Sequence, residues 1–124
     1  MERVKGSWRP VFVVVALAVL NHPWVAAQTD VEQKKIEFLL GQIEGQKGAK
    51  FWRDGSSYSP KQAADHLRMK WQKAGNSIKT SKDFIEKIAS KSSVSGKSYE
   101  IEFADGSRTE TRAFFYKKLG EWKE

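Results

Sequence analysis

The chain has 124 residues, 40% of them hydrophobic, with 22 Lys plus Arg against 15 Asp plus Glu and a formal net charge of +7. That is one domain's length with enough apolar material to fold, which excludes wholesale disorder. With no Cys the chain has no disulfide, iron–sulfur cluster, Cys-ligated zinc or cysteine nucleophile, its two His form no HExxH-type metal pair, and no cofactor motif is present.

In chain order, residues 1–27 read as an export leader. Arg3, Lys5 and Arg9 precede an apolar run from Val11 to Leu20, the breakers Asn21, His22 and Pro23 follow, and Val25-Ala26-Ala27 offers a cleavage point before Gln28. The run is about half of the ~20 residues that a bilayer-crossing helix needs, so the expectation is a cleaved signal and a periplasmic or secreted protein with no membrane anchor. Cleavage there leaves residues 28–124 as the folded domain. It removes three basic and one acidic side chain, so that 19 basic residues face 14 acidic ones, a net charge of +5.

Thr29 with Glu32 forms a capping-box pattern that predicts a helix start, and Ile36, Leu39, Leu40 and Ile43 continue it as one apolar stripe up to Gly45. Asp54-Gly55 between aromatic-bearing runs predicts a two-residue hairpin. Ser59-Pro60-Lys61-Gln62 starts a second helix, whose inner stripe is Ala63, Ala64, Leu67, Trp71 and Ala74 and whose stop is Gly75. Thr80 and Asp83 cap a third helix carrying Phe84, Ile85, Ile88 and Ala89. Tyr99, Ile101 and Phe103 alternate with glutamates as a half-buried strand, Asp105-Gly106 turns the chain, and Thr109 or Thr111 caps a last helix with Phe115, Leu119 and Trp122 inward. The fold class expected is α+β, a small single domain of about four helices and one or two short β-hairpins. Its expected core is Leu39, Leu40, Ile43, Leu67, Trp71, Phe84, Ile85, Ile88, Ile101, Phe103, Phe115 and Leu119. Trp71 and Trp122 lie equally far beyond their Asp-Gly pairs, a repeat that either duplication or common α+β geometry explains.

The chemistry-bearing stretch is Asp65-His66-Leu67-Arg68-Met69-Lys70. A carboxylate beside an imidazole suggests a general base, but helix neighbours point about 100° apart, so His66 faces Lys70 and Asp65 faces Lys61 and Arg68. His66 is therefore expected to fill the edge of the apolar stripe, with His66, Arg68 and Lys70 as candidate binding residues. Ser95-Gly96-Lys97-Ser98 lacks the first Gly of a phosphate-binding loop and runs into a strand, which excludes a P-loop. The Ser- and Lys-rich segment 90–98 is expected to be a solvated connection, or else an anion holder through its backbone N–H groups with Lys87, Lys91 and Lys97. Phe51, Trp52 and Tyr58 are either core or an aromatic platform, and Trp52 joins Lys91 and Lys97 as a candidate binding residue. Basic charges interleaved with acidic ones at i+3 and i+4 draw no continuous stripe along the sequence. With export, this disfavours nucleic acid and points to an unidentified protein or an anionic cell-envelope component.

The stretches Ile36-Glu37-Phe38-Leu39-Leu40, Arg53-Asp54-Gly55, the run from Ala63 to Lys70, the run from Ile78 to Ile85, and the segment from Ser90 to Gly106 resemble a family of small exported bacterial proteins catalogued as a domain of unknown function. The likeness spans nearly all of residues 28–124. It implies a Gram-negative periplasmic setting, no particular reaction, and a packing role at Trp71, where members often place a second aromatic. Two functions follow as expectations: a non-enzymatic module that binds a protein or an anionic envelope ligand, or a small hydrolase using His66 with a carboxylate brought in by the fold.

Overall fold

The computed structural model describes the backbone from residue 23 and the side chains from residue 30, through to residue 124. The expected leader therefore falls on residues outside those described and on the first residues of a helix. The elements run α1 (Pro23–Glu44), β1 (Lys50–Arg53), β2 (Ser56–Tyr58), α2 (Pro60–Ala74), a 3₁₀ turn (Gly75–Ser77), α3 (Ser81–Asp83) widening into a π-helical turn (Phe84–Ile88), β3 (Glu100–Glu102), β4 (Arg108–Glu110) and α4 (Thr111–Leu119). This is the expected α+β domain of four helices and two hairpins. The two hairpins join into one antiparallel sheet of order β2-β1-β3-β4, with Phe51 paired to Ile101 at its centre. The sheet, the core and the site all lie within one compact unit, Val31–Glu124. No helix among the described residues is long and apolar enough to cross a membrane.

Local chemistry explains most boundaries. Asp54 and Gly55 both take positive φ, 50° and 82°, as a right-twisted two-residue hairpin requires. The hydroxyl of Ser59 accepts from the Gln62 N–H while Gln62 Oε1 accepts from the Ser59 N–H, so the capping box of α2 is complete, and Thr80 with Asp83 repeats it at α3. Two expected caps are not used. Thr29 lies inside α1, and the Glu32 carboxylate instead accepts from the Ser81 backbone N–H at 2.7 Å, tying α1 to the start of α3. Helix α4 begins after Glu110 without a side-chain cap, because Thr109 belongs to β4 and the Thr111 hydroxyl is buried, donating to the Ala89 carbonyl.

That last bond belongs to a pattern. A π-helical turn ends with carbonyls that have no partner on their own helix, and burial makes each one costly. Here Ser90 Oγ donates to Ile85, Lys70 Nζ to Ile88 at 2.8 Å, and Thr111 Oγ1 to Ala89. Helices α2 and α4, with Ser90 just past the turn, thus supply the donors that this helix end lacks.

The core gathers Ile36, Leu39, Leu40, Ile43, Phe51, Leu67, Phe84, Ile85, Ile88, Tyr99, Ile101, Phe114 and Phe115, together with Ala63, Ala64 and Ala89. Trp71, Phe103 and Leu119, expected inside, are half-buried at its rim. Trp71 stands edge-on to Phe84 with ring centres 6.0 Å apart, whereas Trp122 lies past the end of α4 against Phe38, so the two tryptophans do not hold equivalent places. Met69 is 44% exposed on the outer side of α2, where no second element covers it.

Candidate functional site

Strand alternation decides what faces α2. Phe51 and Arg53 point to the helix side of the sheet, while Trp52 points to the other. Arg53 is thus a charged residue at an inward position, at the very end of β1. Its guanidinium donates to the Tyr58 hydroxyl at 3.0 Å and lies 3.5 Å from Nε2 of His66 on α2. These residues line a pocket of about 290 Å³ between the first hairpin and the first half of α2, together with Phe51, Gln62 and Asp65. Among the described residues no carboxylate pairs with Arg53, and Asp65 on the rim is engaged by Lys61 at 3.0 Å.

His66 is half-buried, and burial, followed by the charges of Arg53, Lys70 and Lys73, holds its pKa below the ordinary imidazole value. The ring is therefore neutral at pH 7, and its Nε2 faces a guanidinium that can only donate. A general base would want a carboxylate at that place, and among the described residues none hydrogen-bonds His66. Acidification should accordingly weaken the fold. Both folded and unfolded His66 are neutral well above pH 6.5. As pH falls through that value the unfolded chain takes up its proton first, so stability declines until the lower folded pKa is passed. Denaturant melts between about pH 7.5 and pH 5.5, above the carboxylate range, should show this slope. His66→Gln should remove it, and a slope that survives the substitution would place its source elsewhere.

Lys70, one turn beyond His66, is half-buried, and its ammonium donates to the Ile88 carbonyl, the Tyr99 hydroxyl at 2.9 Å and the Lys91 carbonyl at 3.3 Å. Burial and Arg53 both push its pKa down. Tyr99, packed edge-on to His66 and tilted against Phe51, has its own pKa raised by burial.

The other sequence candidates lie elsewhere. Arg68 pairs with Glu37 of α1 at 2.7 Å. Trp52 donates from Nε1 to Glu102 and is covered by the Arg108 guanidinium 4.6 Å from its ring, on the charged outer face of the sheet. Phe51, Trp52 and Tyr58 therefore make no common platform, since Phe51 is buried and Trp52 faces away from Tyr58. Lys91 and Lys97 are exposed on the 90–98 loop. That loop is not a merely solvated connection: Ser92 is buried, and its hydroxyl and that of Ser95 both donate to the Asp54 carboxylate. The N–H groups of Val94 and Ser95 point to Ser92 Oγ, that of Lys97 to Ser95 Oγ, and those of Ser92 and Gly96 to carbonyls of the loop itself. Five of the loop's backbone donors are thus already used, and the anion this loop holds is the chain's own Asp54, whose pKa these hydroxyls lower.

The structure thus brings His66 and Lys70 together with Tyr58, which the sequence offered as core or as part of an aromatic platform, and with Arg53, which it did not offer as a binding residue. The signal for Arg53 was a charge at an inward strand position two residues after a buried Phe. Among the described residues no three His, Asp or Glu side chains lie close enough to hold a metal ion.

Residues 30–123 match the model of a family described as a family of unknown function, DUF5329. The chain belongs to that family. A relative in Salmonella typhimurium, described as uncharacterized protein YfeK, is 35% identical over 89 residues, covering 72% of this chain and 73% of the relative. No solved structure matches. The match to the DUF5329 model includes the whole hairpin and α2, and hence every residue of the Arg53 pocket.

Proposed function

We propose that this DUF5329 member is a non-enzymatic binding protein of the bacterial periplasm that takes an anionic group of an envelope component or of an acidic protein into the Arg53 pocket. One observation carries the reading: a guanidinium without a carboxylate partner among the described residues stands in an open pocket, with His66 and Tyr58 beside it. A planar fork of N–H donors suits carboxylate and phosphate oxygens, and a phenol beside it adds a further donor. His66 contributes by taking a proton when an anion arrives, because the anion reverses the surroundings that keep it neutral.

Titration calorimetry with acetate and methylphosphonate is the test. Binding is expected to be weak, to fade between low and moderate salt, and to strengthen as pH falls through the His66 range. A charged hydrogen bond is worth about 1.5–3 kcal/mol, so Arg53→Gln should weaken binding by about 10- to 100-fold. An Arg53→Gln protein that binds both anions as the parent does would end this reading. The periplasmic part of the proposal has its own check: intact mass of the protein recovered from periplasm should correspond to a chain starting at Gln28. Recovery of all 124 residues from the inner membrane would overturn it.

A further inference from the structure

A second concavity lies farther along α2, about 380 Å³ in volume. Its floor is apolar, with Ala74, Ile78 and Ile88, and its walls carry Lys73 and Lys87 with Ser77 and Ser93. No carboxylate lines it, and the nearest acid to Lys87, Asp83, sits 3.8 Å away at the outer limit of pairing. Lys70 lines this second concavity as well. Its ammonium is held by carbonyl and hydroxyl oxygens and so keeps its charge uncompensated.

The two concavities share one face of one helix. At 100° per residue His66, Lys70 and Lys73 fall within a sector of about 60°, and the 1.5 Å rise sets His66 and Lys73 about 10 Å apart along the axis. The charges acting on His66 are all positive, and they come from both sides: Arg53 from β1, Lys70 and Lys73 from its own helix. Charges interleaved along the sequence have thus been sorted by folding into a track that runs from Arg53 to Lys87.

We infer that the ligand carries two anionic groups, of which phosphoryl groups fit best, separated by about 10 Å: one seated on Arg53, Tyr58 and His66, the other on Lys73 and Lys87. This deepens the Arg53-pocket reading and rests on it. The fork of Arg53 accepts either a carboxylate or a phosphate, but two lysine ammoniums are point charges that reward the higher charge of a phosphoryl group. Two anions joined by a spacer of matching length gain from effective concentration, and a spacer that is too short gains nothing.

A ladder of α,ω-alkanediphosphonates is the ruler. With the purified protein, affinity should peak at the spacer that spans about 10 Å and exceed that of methylphosphonate by at least about tenfold. Lys73→Gln/Lys87→Gln should erase the peak, and Arg53→Gln should weaken every member of the ladder. Both lysines are exposed, so the double variant should melt as the parent does. A flat ladder with binding that still depends on Arg53 overturns the two-anion inference and leaves the single pocket standing. Binding indifferent to Arg53→Gln overturns both. Tighter binding of a single-stranded oligonucleotide than of the best diphosphonate overturns it in favour of a general polyanion track. Vesicles doped with a diphosphorylated glycolipid, compared with vesicles of its monophosphorylated form, separate a lipid headgroup from a soluble ligand: selective capture indicates the former, and a spacer peak without capture the latter.

Discussion

Phe84→Ala should destabilise the domain by about 3–5 kcal/mol, the range for emptying a fully buried aromatic site. Phe84 is 0% exposed and is the first residue of the π-helical turn. Its ring meets Trp71 of α2 edge-on at 6.0 Å and Phe115 of α4 at 6.3 Å, so one side chain joins three helical elements. The turn around it, pinned at Ile88 and Ala89 by donors from α2 and α4 and at Ile85 by Ser90, leaves little room for collapse into the void. In a domain of this size each kcal/mol lowers the melting temperature by roughly 4–8 °C, so the loss should exceed about 12 °C. Phe84→Leu, which keeps most of the volume, should cost about 1 kcal/mol. Equal melts for the two variants would show that the aromatic web does not hold these helices together.

The second large effect is expected at Lys70. Lys70→Met keeps the aliphatic stem against α3 but deletes the donor to the Ile88 and Lys91 carbonyls and to the Tyr99 hydroxyl. Leaving such acceptors without a partner costs about 1–3 kcal/mol for each one that water cannot reach. Ile88 is 4% exposed, so its carbonyl is the main loss, and a total of about 2–4 kcal/mol is expected. The companion Lys73→Met, on the same face but with no such bonds, should change stability by less than about 0.5 kcal/mol. A Lys70→Met protein as stable as the Lys73→Met protein would mean that solvent, not Lys70, satisfies the end of the π-helical turn. His66→Gln belongs between these limits at about 1 kcal/mol, since it removes one long contact to Arg53.

Read from its residues alone, this protein discloses its local structure well. Asp54-Gly55, the Ser59–Gln62 box, the Thr80–Asp83 box and the Tyr99–Phe103 alternation each specify a turn, a start or a strand through contacts within about four residues. Those elements form where the sequence places them. The exclusion of cysteine chemistry is equally a property of composition. What depends on distant partners was not legible there. Glu32, which reads as half of a capping box, finds a stronger use in the Ser81 N–H 49 positions away, and Thr111, which reads as a cap, is drawn inward to the Ala89 carbonyl. The 90–98 loop reads as a solvated connection or else an anion holder, but five of its amides close on the loop's own oxygens and its Ser92 and Ser95 hydroxyls hold Asp54 of the hairpin turn. The basic track is the largest difference. Along the chain Arg53, His66, Lys73 and Lys87 are diluted by intervening carboxylates. Only the packing of β1 and the π-helical turn onto α2 sets them on one face while Asp65 is turned to Lys61 and Glu37 to Arg68. Short-range hydrogen bonding and hydrophobic period are written in neighbouring residues, whereas the sign of the charge on a surface is decided by which neighbours folding brings together.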